Sequence, residues 1–150
     1  MVSIRKVMIS GGFDPLTIGH LNLIRDARRY GLVIIALNSD RWLLRKRGFC
    51  FMPWDHRREI LSDLRNVWKV IAVEDTDGTV CSALKRLKPD YFANGGDRIY
   101  PQESENKICQ ELKICQLFQI GGPKVSSSTE LIKKAVLSFY GKISHDYLME

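Results

Sequence analysis

A glycine-rich segment, Gly11 to His20, restricts the folds open to this chain more than any other stretch, and it reads GGFDPLTIGH. An apolar run precedes it, and apolar and charged residues alternate at helical spacing after it, which predicts a turn from a strand into a helix. Glycine lets backbone N–H groups approach a ligand closely, and a helix N-terminus adds unpaired donors with a partial positive charge. The segment therefore predicts a phosphate site, with His20 in the first helical turn facing it. The alternative is a structural turn in which Thr17 caps the helix and His20 contacts no ligand.

Strand and helix patterns alternate along the whole chain, with no internal repeat, low-complexity tract or linker. Such alternation is typical of a parallel sheet covered by helices on both faces. A chain of 150 residues can bury one core, so residues 1–150 are predicted to form a single domain. The predicted fold is α/β, with a doubly wound, parallel, five-stranded, Rossmann-like sheet. Its strands are expected near residues 5–10, 32–37, 67–73, 90–93 and 115–120.

More specific predictions concern three other segments: one loop and two helices. Residues 41–52 are basic and irregular, and we expect either a solvated surface loop or a loop that closes over the ligand. A helix is predicted to begin at Thr76, and the last helix at Ser127, because Ser127 and Glu130 have the spacing of a capping box. The last helix is expected to bury one apolar face, made of Leu131, Ile132, Ala135 and Val136.

Composition and charge narrow the class of protein. Hydrophobic residues make up 45% and charged residues 27%, and no apolar run is long enough to span a bilayer, so we expect a cytoplasmic protein that does not bind membranes. The four cysteines form no C-x-x-C pair, which favours free thiols over disulfides or zinc ligands. The net charge of +6 indicates an anionic ligand, either a nucleotide or a nucleic acid. Because the basic residues lie on predicted loops rather than along one helix, and no nucleic-acid-binding motif is present, we favour the nucleotide.

Polar residues follow two of the predicted strands, at the edge where a parallel sheet binds its ligands. Asp40 comes just after the second strand, and Gly95 and Asp97 follow the fourth in the sequence NGGD, for which a plain turn is the alternative. Four consecutive hydroxyl residues begin at Ser126, which is more than one helix cap requires. They predict a second anion site at the N-terminus of the last helix, with a well-capped helix and no ligand as the alternative.

The segment from Gly12 to His20 resembles the G-x-F-D-x-x-[HT]-x-G-H signature of the cytidylyltransferase-like nucleotidyltransferases. Thr17 stands at the variable position of this signature, as it does in phosphopantetheine adenylyltransferases. The resemblance covers residues 5–136, which is nearly the whole predicted domain.

Other motifs extend the resemblance. The sequences around Asp40, Arg57 and Asp97 are similar to those of heptose-phosphate adenylyltransferases and glycerol-3-phosphate cytidylyltransferases. Residues 127–133 are similar to a C-terminal family element, I-S-S-T-x-L-x-[RK], whose hydroxyls bind the triphosphate. In the family a lysine from the basic loop reaches the phosphates, and Lys46 matches its position.

The resemblance implies a nucleotidyltransferase that moves a nucleoside monophosphate from ATP or CTP to a phosphorylated sugar or polyol and releases pyrophosphate. The alternatives are an enzyme of the phosphopantetheine adenylyltransferase type and a non-catalytic nucleotide-binding module. The attack on the α-phosphorus is expected to be direct, because an acceptor phosphate is already ionised near neutral pH. Mg²⁺ is expected as a cofactor held mostly by substrate and water, with no metal site made by the protein. Whether the chain forms a homo-oligomer is left open.

The same resemblance assigns roles to individual residues. His20 and Lys46 are expected to be catalytic, and Lys46 is also expected to contact the acceptor together with Asp40 and Arg57. The expected nucleotide-binding residues lie in the signature, in the turn after the fourth strand and at the last helix: Gly12, Phe13, Asp14, Thr17, Gly19, His20, Gly95, Asp97, Ser127, Ser128 and Thr129.

Overall fold

The computed structural model describes residues 3–96 and 98–147, and within these ranges it contains five strands and six helices. The strands are β1 Lys6–Gly11, β2 Leu32–Leu37, β3 Val67–Ala72, β4 Tyr91–Gly95 and β5 Cys115–Ile120. The helices are α1 Ile18–Ala27, α2 Asp40–Arg47, α3 Trp54–Ser62, α4 Cys81–Leu87, α5 Glu103–Leu112 and α6 Ser128–Tyr147.

The five strands form one parallel sheet with the order β3-β2-β1-β4-β5. The central strand β1 pairs with β2 over its whole length, from Lys6 opposite Leu32 to Gly11 opposite Leu37. The chain winds outward in one direction from β1 to β3 and in the other from β4 to β5, so the winding reverses between β1 and β4. In sheets of this type the ligand crevice lies beyond the carboxyl ends of the strands at such a reversal. The predicted α/β fold is confirmed.

Helices cover both faces of the sheet. Since successive side chains of a strand point to opposite faces, Met8 belongs to a core cluster with residues of α4 and α5, while Val7 and Ile9 belong to a second cluster with residues of α1 and α3. Strand β2 and residues 7–9 of β1 are almost completely buried by these two clusters. The burial fixes the carboxyl ends of β1 and β2, from which the glycine-rich turn and α2 begin.

Two predicted segments differ from the structure. Residues 41–52 are not an irregular loop throughout, because α2 occupies Asp40–Arg47. The Ser39 hydroxyl accepts the Trp42 N–H at 3.0 Å, and Gly48, with φ of 84°, ends the helix in the left-handed conformation. The predicted helix start at Thr76 is also wrong, since α4 begins only at Cys81.

Helix α6 confirms one prediction and contradicts another. It starts directly after Ser127, whose hydroxyl accepts the Glu130 N–H at 3.4 Å. Most of the face predicted to be buried is exposed instead: Leu131 and Val136 are each 46% exposed, Ala135 is exposed as well, and Ile132 is half-buried. With Pro15 and Phe51, this face borders an apolar groove of about 570 Å³. Within residues 3–96 and 98–147, no helix combines the length and apolar composition needed to span a bilayer.

Candidate active site

Two cavities meet at the carboxyl edge of the sheet. The larger one, about 440 Å³, lies between the glycine-rich turn, α2 and the N-terminus of α6, and we call it the basic cavity. The smaller one, about 220 Å³, lies at the ends of β1, β4 and β5 and is lined by five glycines, so we call it the glycine cavity. Three of the described residues, His20, Lys124 and Ser126, line both cavities. The two cavities therefore form one cleft with two lobes, located where the winding of the sheet reverses.

The glycine-rich turn forms the wall of the cleft nearest to β1. A Cβ atom on Gly12 would lie 2.6 Å from Cδ2 of Leu43, so packing against α2 requires either a glycine here or a shift of the end of the Leu43 side chain. Packing does not impose the same requirement on Gly19, because a Cβ there would make only ordinary contacts of 3.6 Å or more. A side chain on Gly19 would instead project toward the glycine cavity that this residue lines. The absence of one leaves room for a ligand close to the backbone of α1.

His20 is held in one orientation and one protonation state. The Thr17 N–H donates to Nδ1 of His20 at 3.0 Å, and the Phe13 ring packs against the imidazole with the two centroids 4.8 Å apart. Because Nδ1 accepts a hydrogen bond, the proton of the neutral ring is on Nε2. Burial lowers the pKa of His20 to about 4. At neutral pH the residue is therefore an uncharged imidazole that offers an Nε2–H donor to the cleft.

Asp14 is bonded to protein donors. Its buried carboxylate accepts the backbone N–H groups of Phe51 and Met52, both at 2.7 Å, and pairs with Arg47. Arg47 also donates to the Asp14 carbonyl at 2.6 Å. Asp14 borders the basic cavity, but its carboxylate fastens the chain between α2 and α3 to the glycine-rich turn. These contacts give Asp14 a place in the framework of the site, and its contact with the nucleotide stays a prediction.

Arg57 lies under the site and is fully buried. Its guanidinium donates to the carbonyls of Met52 at 2.9 Å, Gly12 at 2.7 Å and Asn38 at 2.9 Å, and to the carboxylate of Asp40 at 2.6 Å. Arg57 thus joins the ends of β1 and β2 to the start of α3. In the described part of the chain, neither Arg57 nor Asp40 lines the cleft. The Arg57 guanidinium is used within the protein, whereas the side chain of Asp40 is 42% exposed. The contact of these two side chains with the acceptor stays a prediction.

Helix α2 presents its basic end to the cleft. Lys46 and Trp42 are one helical turn apart, with Nζ of Lys46 4.4 Å from the centroid of the indole ring, and both line the basic cavity together with Arg47. From the sequence, Lys46 was predicted to lie on a loop, and neither Trp42 nor Arg47 was predicted to be a site residue. A helix fixes the position of Lys46 better than a loop would, because its backbone is hydrogen-bonded from residue to residue.

The four hydroxyl residues around the start of α6 have four different environments. Ser127 caps the helix, and Ser128 donates its proton to the Pro15 carbonyl at 2.8 Å. Thr129 lines the basic cavity, and its side-chain hydroxyl makes no hydrogen bond within the described residues. The Oγ atom of Ser126 is buried and has no hydrogen-bond partner in that same part of the chain. Ser126 was missed because the similar family element begins its hydroxyls one residue later, although the run of four hydroxyls already started there.

The remaining predicted residues lie around the glycine cavity. Thr17, Gly19 and Gly95 line it, and a Cβ on Gly95 would lie 3.1 Å from Cδ1 of Leu23. Asp97 lies outside the described residues. Lys124 was not selected from the sequence, yet it borders both lobes of the cleft.

The cleft as a whole suits a polyanion. The N-termini of α1 and α6 both contribute residues to it, and each brings unpaired N–H groups and a partial positive charge. Three basic side chains border it: Lys46, Arg47 and Lys124. No group of three or more His, Cys, Asp or Glu residues able to hold a metal ion occurs among the residues that the structure describes.

Comparisons with known proteins agree with this chemistry. The family model described as "Cytidylyltransferase-like" matches residues 8–135, a range that contains every residue lining the cleft. The FAD synthase of Thermococcus kodakarensis is 32% identical over 111 residues, which cover 72% of this chain and 71% of that protein. The FAD synthase of Pyrococcus abyssi is 30% identical over 86% of this chain and 90% of its own length.

A second group of relatives is longer. The bifunctional protein HldE of Aliarcobacter butzleri is 30% identical over 134 residues, which cover 87% of this chain and 27% of that protein. The chain therefore spans about a quarter of that relative. Among solved structures, a lipopolysaccharide core biosynthesis protein from Thermoplasma volcanium GSS1 has the same fold, with a TM-score of 0.70, 19% identity and coverage of 81% of this chain and 100% of the other.

Proposed function

This chain belongs to the cytidylyltransferase-like family of nucleotidyltransferases, and from that premise we propose that it transfers a nucleoside monophosphate from ATP or CTP to the phosphate of a small acceptor. One observation carries the proposal: two lobes of different character meet at a junction lined by His20, Lys124 and Ser126. A reaction that joins a nucleotide to a phosphorylated acceptor needs such an arrangement. The glycine cavity takes the nucleoside, the basic cavity takes the β- and γ-phosphates together with the acceptor phosphate, and the α-phosphate lies between the two lobes.

The proposed step is an in-line displacement at the α-phosphorus. An oxygen of the acceptor phosphate forms a new bond to the α-phosphorus, the bond to the oxygen that bridges to the β-phosphate breaks, and pyrophosphate leaves with that electron pair. The acceptor phosphate is already ionised, so the step requires no general base. Catalysis then comes from holding the two substrates in line and from stabilising the charge on the phosphate oxygens.

The residues of the cleft fit these two tasks. The neutral imidazole of His20 donates its Nε2–H to a phosphate oxygen without any proton transfer, because its Nδ1 is already engaged by Thr17. Lys46 and Lys124 contribute positive charge from opposite sides of the basic cavity. The N-termini of α1 and α6 add backbone donors, and those of α1 are fixed by the core before the substrate arrives.

Mg²⁺ is part of the proposal as a companion of the triphosphate. It would be held mostly by the triphosphate and water, and it would reduce the negative charge of the phosphates. The carboxylate of Asp14 is already bonded to protein donors, so the proposal assigns it no contact with the ion.

For the acceptor we propose a phosphorylated sugar or polyol. The hydroxyl and cationic side chains around the basic cavity support it, because they can bind both a phosphate and neighbouring hydroxyl groups. The relatives named FAD synthase favour a second candidate, riboflavin 5′-phosphate, since FAD is that molecule joined to adenosine monophosphate, and the chain spans most of the length of these relatives.

Pyrophosphate release tests the proposal. Each of the four ribonucleoside triphosphates is incubated with Mg²⁺ and with sugar phosphates, glycerol 3-phosphate, riboflavin 5′-phosphate or pantetheine 4′-phosphate. We expect one triphosphate and one class of acceptor to give turnover that requires both substrates. Triphosphate binding without release in any combination would support a non-catalytic module instead. Tight oligonucleotide binding that weakens steeply with salt would support a nucleic-acid-binding protein.

A further inference from the structure

The carboxylate of Asp75 is buried outside the cleft and is bonded to the residues that begin α2. Asp75 lies in the connection that follows β3, its side chain is 5% exposed, and it is not among the described residues that line either cavity. Its Oδ2 atom accepts the backbone N–H of Ser39 at 2.8 Å and the side-chain N–H of Asn38 at 3.1 Å. Its Oδ1 atom accepts the Ser39 hydroxyl at 2.7 Å. A buried carboxylate needs donors that replace its lost water, so these bonds hold the end of β2 and the start of α2 firmly to Asp75.

The same residue is attached to both ends of α2. Because the Ser39 hydroxyl donates its proton to Asp75, its oxygen is oriented to accept the Trp42 N–H at 3.0 Å, the bond that caps the helix. In the last turn of α2, Arg45 donates to the Asp75 carbonyl at 2.7 Å, and its guanidinium lies 3.9 Å from the carboxylate. Asp75 therefore restrains the direction of the helix as well as its first residue.

Helix α2 depends on polar attachments because its apolar packing is small. Of the described residues 40–47, only Leu43 is buried. Arg57 bonds to the first residue of the helix, and Asp14, in the glycine-rich turn, bonds to the last. Asp75 bonds to the helix from the connection after β3 instead. The tilt of α2 against the sheet is therefore set by polar contacts with separate parts of the chain.

This tilt decides where Lys46 lies. Lys46 comes about two helical turns after Ser39, so a tilt of about 6° at the cap would move the backbone of Lys46 by about 1 Å over a helix length of about 10 Å. A displacement of about 1 Å can lower the rate of a reaction that depends on position about 10²-fold. Lys46 borders the basic cavity, where the proposed function places the β- and γ-phosphates and the acceptor phosphate.

We infer that Asp75 is a positioning residue that acts through Lys46. Its carboxylate fixes the tilt of α2, so that the ammonium group of Lys46 borders the phosphate-binding part of the cleft before the substrates arrive. The inference rests on the proposed function and adds to it a residue that touches neither substrate. Loss of the carboxylate should loosen α2 and displace Lys46 while the sheet and the rest of the cleft stay as they are.

The test is a double-mutant cycle of Asp75→Asn and Lys46→Met. Asparagine has the size of aspartate, but whichever way its amide turns, an NH₂ group replaces an oxygen that accepts from Ser39. We expect Asp75→Asn to lower kcat/KM for pyrophosphate release about tenfold or more when Lys46 is present. In the Lys46→Met background the same change should cost less than about twofold, because the displaced side chain then carries no charge.

The matched control is Asp77→Asn, the same substitution two residues further along the connection. The Asp77 carboxylate accepts the N–H and the hydroxyl of Thr79, at 2.8 and 2.9 Å, and these bonds stay within the connection. Its kcat/KM should remain within about twofold of wild type. A value within the same limit for Asp75→Asn would overturn the inference, and so would an equal loss in the two Lys46 backgrounds, since Asp75 would then be a purely structural residue. Either result would leave the proposed function standing.

Amide hydrogen exchange gives a readout that does not depend on turnover. We expect the Trp42 amide and the other amides of α2 to exchange faster in Asp75→Asn than in Asp77→Asn, while the amides of β1 and β2 keep their wild-type rates. Equal exchange of α2 in the two variants would overturn the inference, because Asp75 would then not hold the helix.

Two further measurements cover the remaining outcomes. If the wild type releases no pyrophosphate, the proposed function fails, and the cycle is read from the rise in melting temperature that triphosphate with Mg²⁺ produces. Asp75→Asn should reduce this rise only when Lys46 is present, and an equal reduction in both backgrounds, no reduction, or no rise in the wild type overturns the inference. If Asp75→Asn does not fold, Arg45→Met removes the attachment at the other end of α2 and takes its place in the cycle, where an equal loss in both backgrounds overturns the inference.

Discussion

The two helix N-termini at the cleft are attached to the rest of the molecule in different ways. At α1, Phe13 and Thr17 are buried, His20 is fixed by a backbone hydrogen bond, and the preceding turn is joined to the core by Arg57. At α6, the residues before the helix are partly exposed, and Ser128 donates its hydroxyl proton to Pro15 while the apolar face beyond it is open to solvent.

Because of this difference, we expect the N-termini of α1 and α6 to bind the same anion in different ways. The α1 side is organised by the core before any substrate arrives, so its donors add little conformational entropy cost when a phosphate binds. The α6 side has few contacts that resist movement, so binding is expected to order it. Mutations on the α1 side should therefore change folding or chemistry, and mutations on the α6 side should mainly change the response to ligand.

The largest expected effect is on the framework under α1. Replacing Arg57 with methionine removes the donors to three backbone carbonyls and leaves the carboxylate of Asp40 without its partner. We expect the free energy of unfolding to fall by about 3–5 kcal/mol, as for the removal of one member of a buried charged network. Denaturant titration measures this. Arg58→Met, the same change at the neighbouring and half-exposed arginine, should stay within about 0.5 kcal/mol of wild type, and similar losses in the two variants would contradict the assignment.

The second effect is on the chemistry of the α1 side. His20→Ala removes the Nε2–H donor, and we expect kcat to fall about 10²- to 10³-fold, the range for losing one fixed donor to a developing negative charge. His20→Gln keeps an N–H donor on a side chain of similar length and should lose less. Steady-state pyrophosphate release measures both variants, with the exposed His56 changed to alanine as the control. Wild-type turnover by His20→Ala would remove this residue from the mechanism.

Smaller effects are expected on the α6 side. Ser128→Ala loses the hydrogen bond to Pro15, so the ligand-free protein should lose about 1 kcal/mol of stability. Thr129→Val should leave the ligand-free melting temperature unchanged and reduce the rise produced by triphosphate with Mg²⁺. Thermal melts with and without nucleotide compare the two, with Ser138→Ala as a control for losing an exposed hydroxyl contact. A full ligand-induced rise in Thr129→Val would mean that its hydroxyl does not contact the nucleotide.

The smallest effect is a pH dependence of folding. The pKa of His20 is about 4 in the folded protein and 6.5 in an unstructured chain, so the unfolded state binds the proton first as the pH falls. Above pH 6.5 His20 is neutral in both the folded and the unfolded state and does not lower the free energy of unfolding. That free energy decreases as the pH falls from 6.5 toward 4. Between pH 7 and 5.5 the loss from this residue is about 1 kcal/mol. Denaturant midpoints of wild type and His20→Gln across this range measure it, and parallel curves would contradict the burial of a neutral imidazole.

Sequence patterns predicted the sheet well, and β2 most directly, because a strand buried on both faces is a continuous apolar run. Leu32–Leu37 and Cys115–Ile120 were predicted with the bounds that the structure has. Helix α2 was not predicted, because its eight residues bury little more than Leu43 and so give no helical period of apolar residues. The apolar period of α6 was recognised, but an amphipathic pattern does not reveal what the apolar face packs against.

Site prediction was limited by a different physical cause. The type of a residue indicates which bonds it can make, but only the fold decides whether a protein group or a ligand makes them. Asp40 and Arg57 matched a family pattern, yet each is the other's partner. The sequence does not distinguish the hydroxyl of Ser126 from its neighbours. In the fold it is buried and has no hydrogen-bond partner among the described residues.

The buried carboxylate of Asp14 has a consequence for amide hydrogen exchange. The N–H groups of Phe51 and Met52 belong to the connection between α2 and α3, where backbone amides normally exchange quickly with solvent. Both donate to this carboxylate, so either amide can exchange only after the connection has separated from the glycine-rich turn. Such an opening would take two hydrogen-bond donors away from the buried charge of Asp14 and leave it with Arg47 alone. These two amides should therefore exchange as slowly as amides of the central strands, so that a segment without regular secondary structure belongs to the most stable part of the molecule.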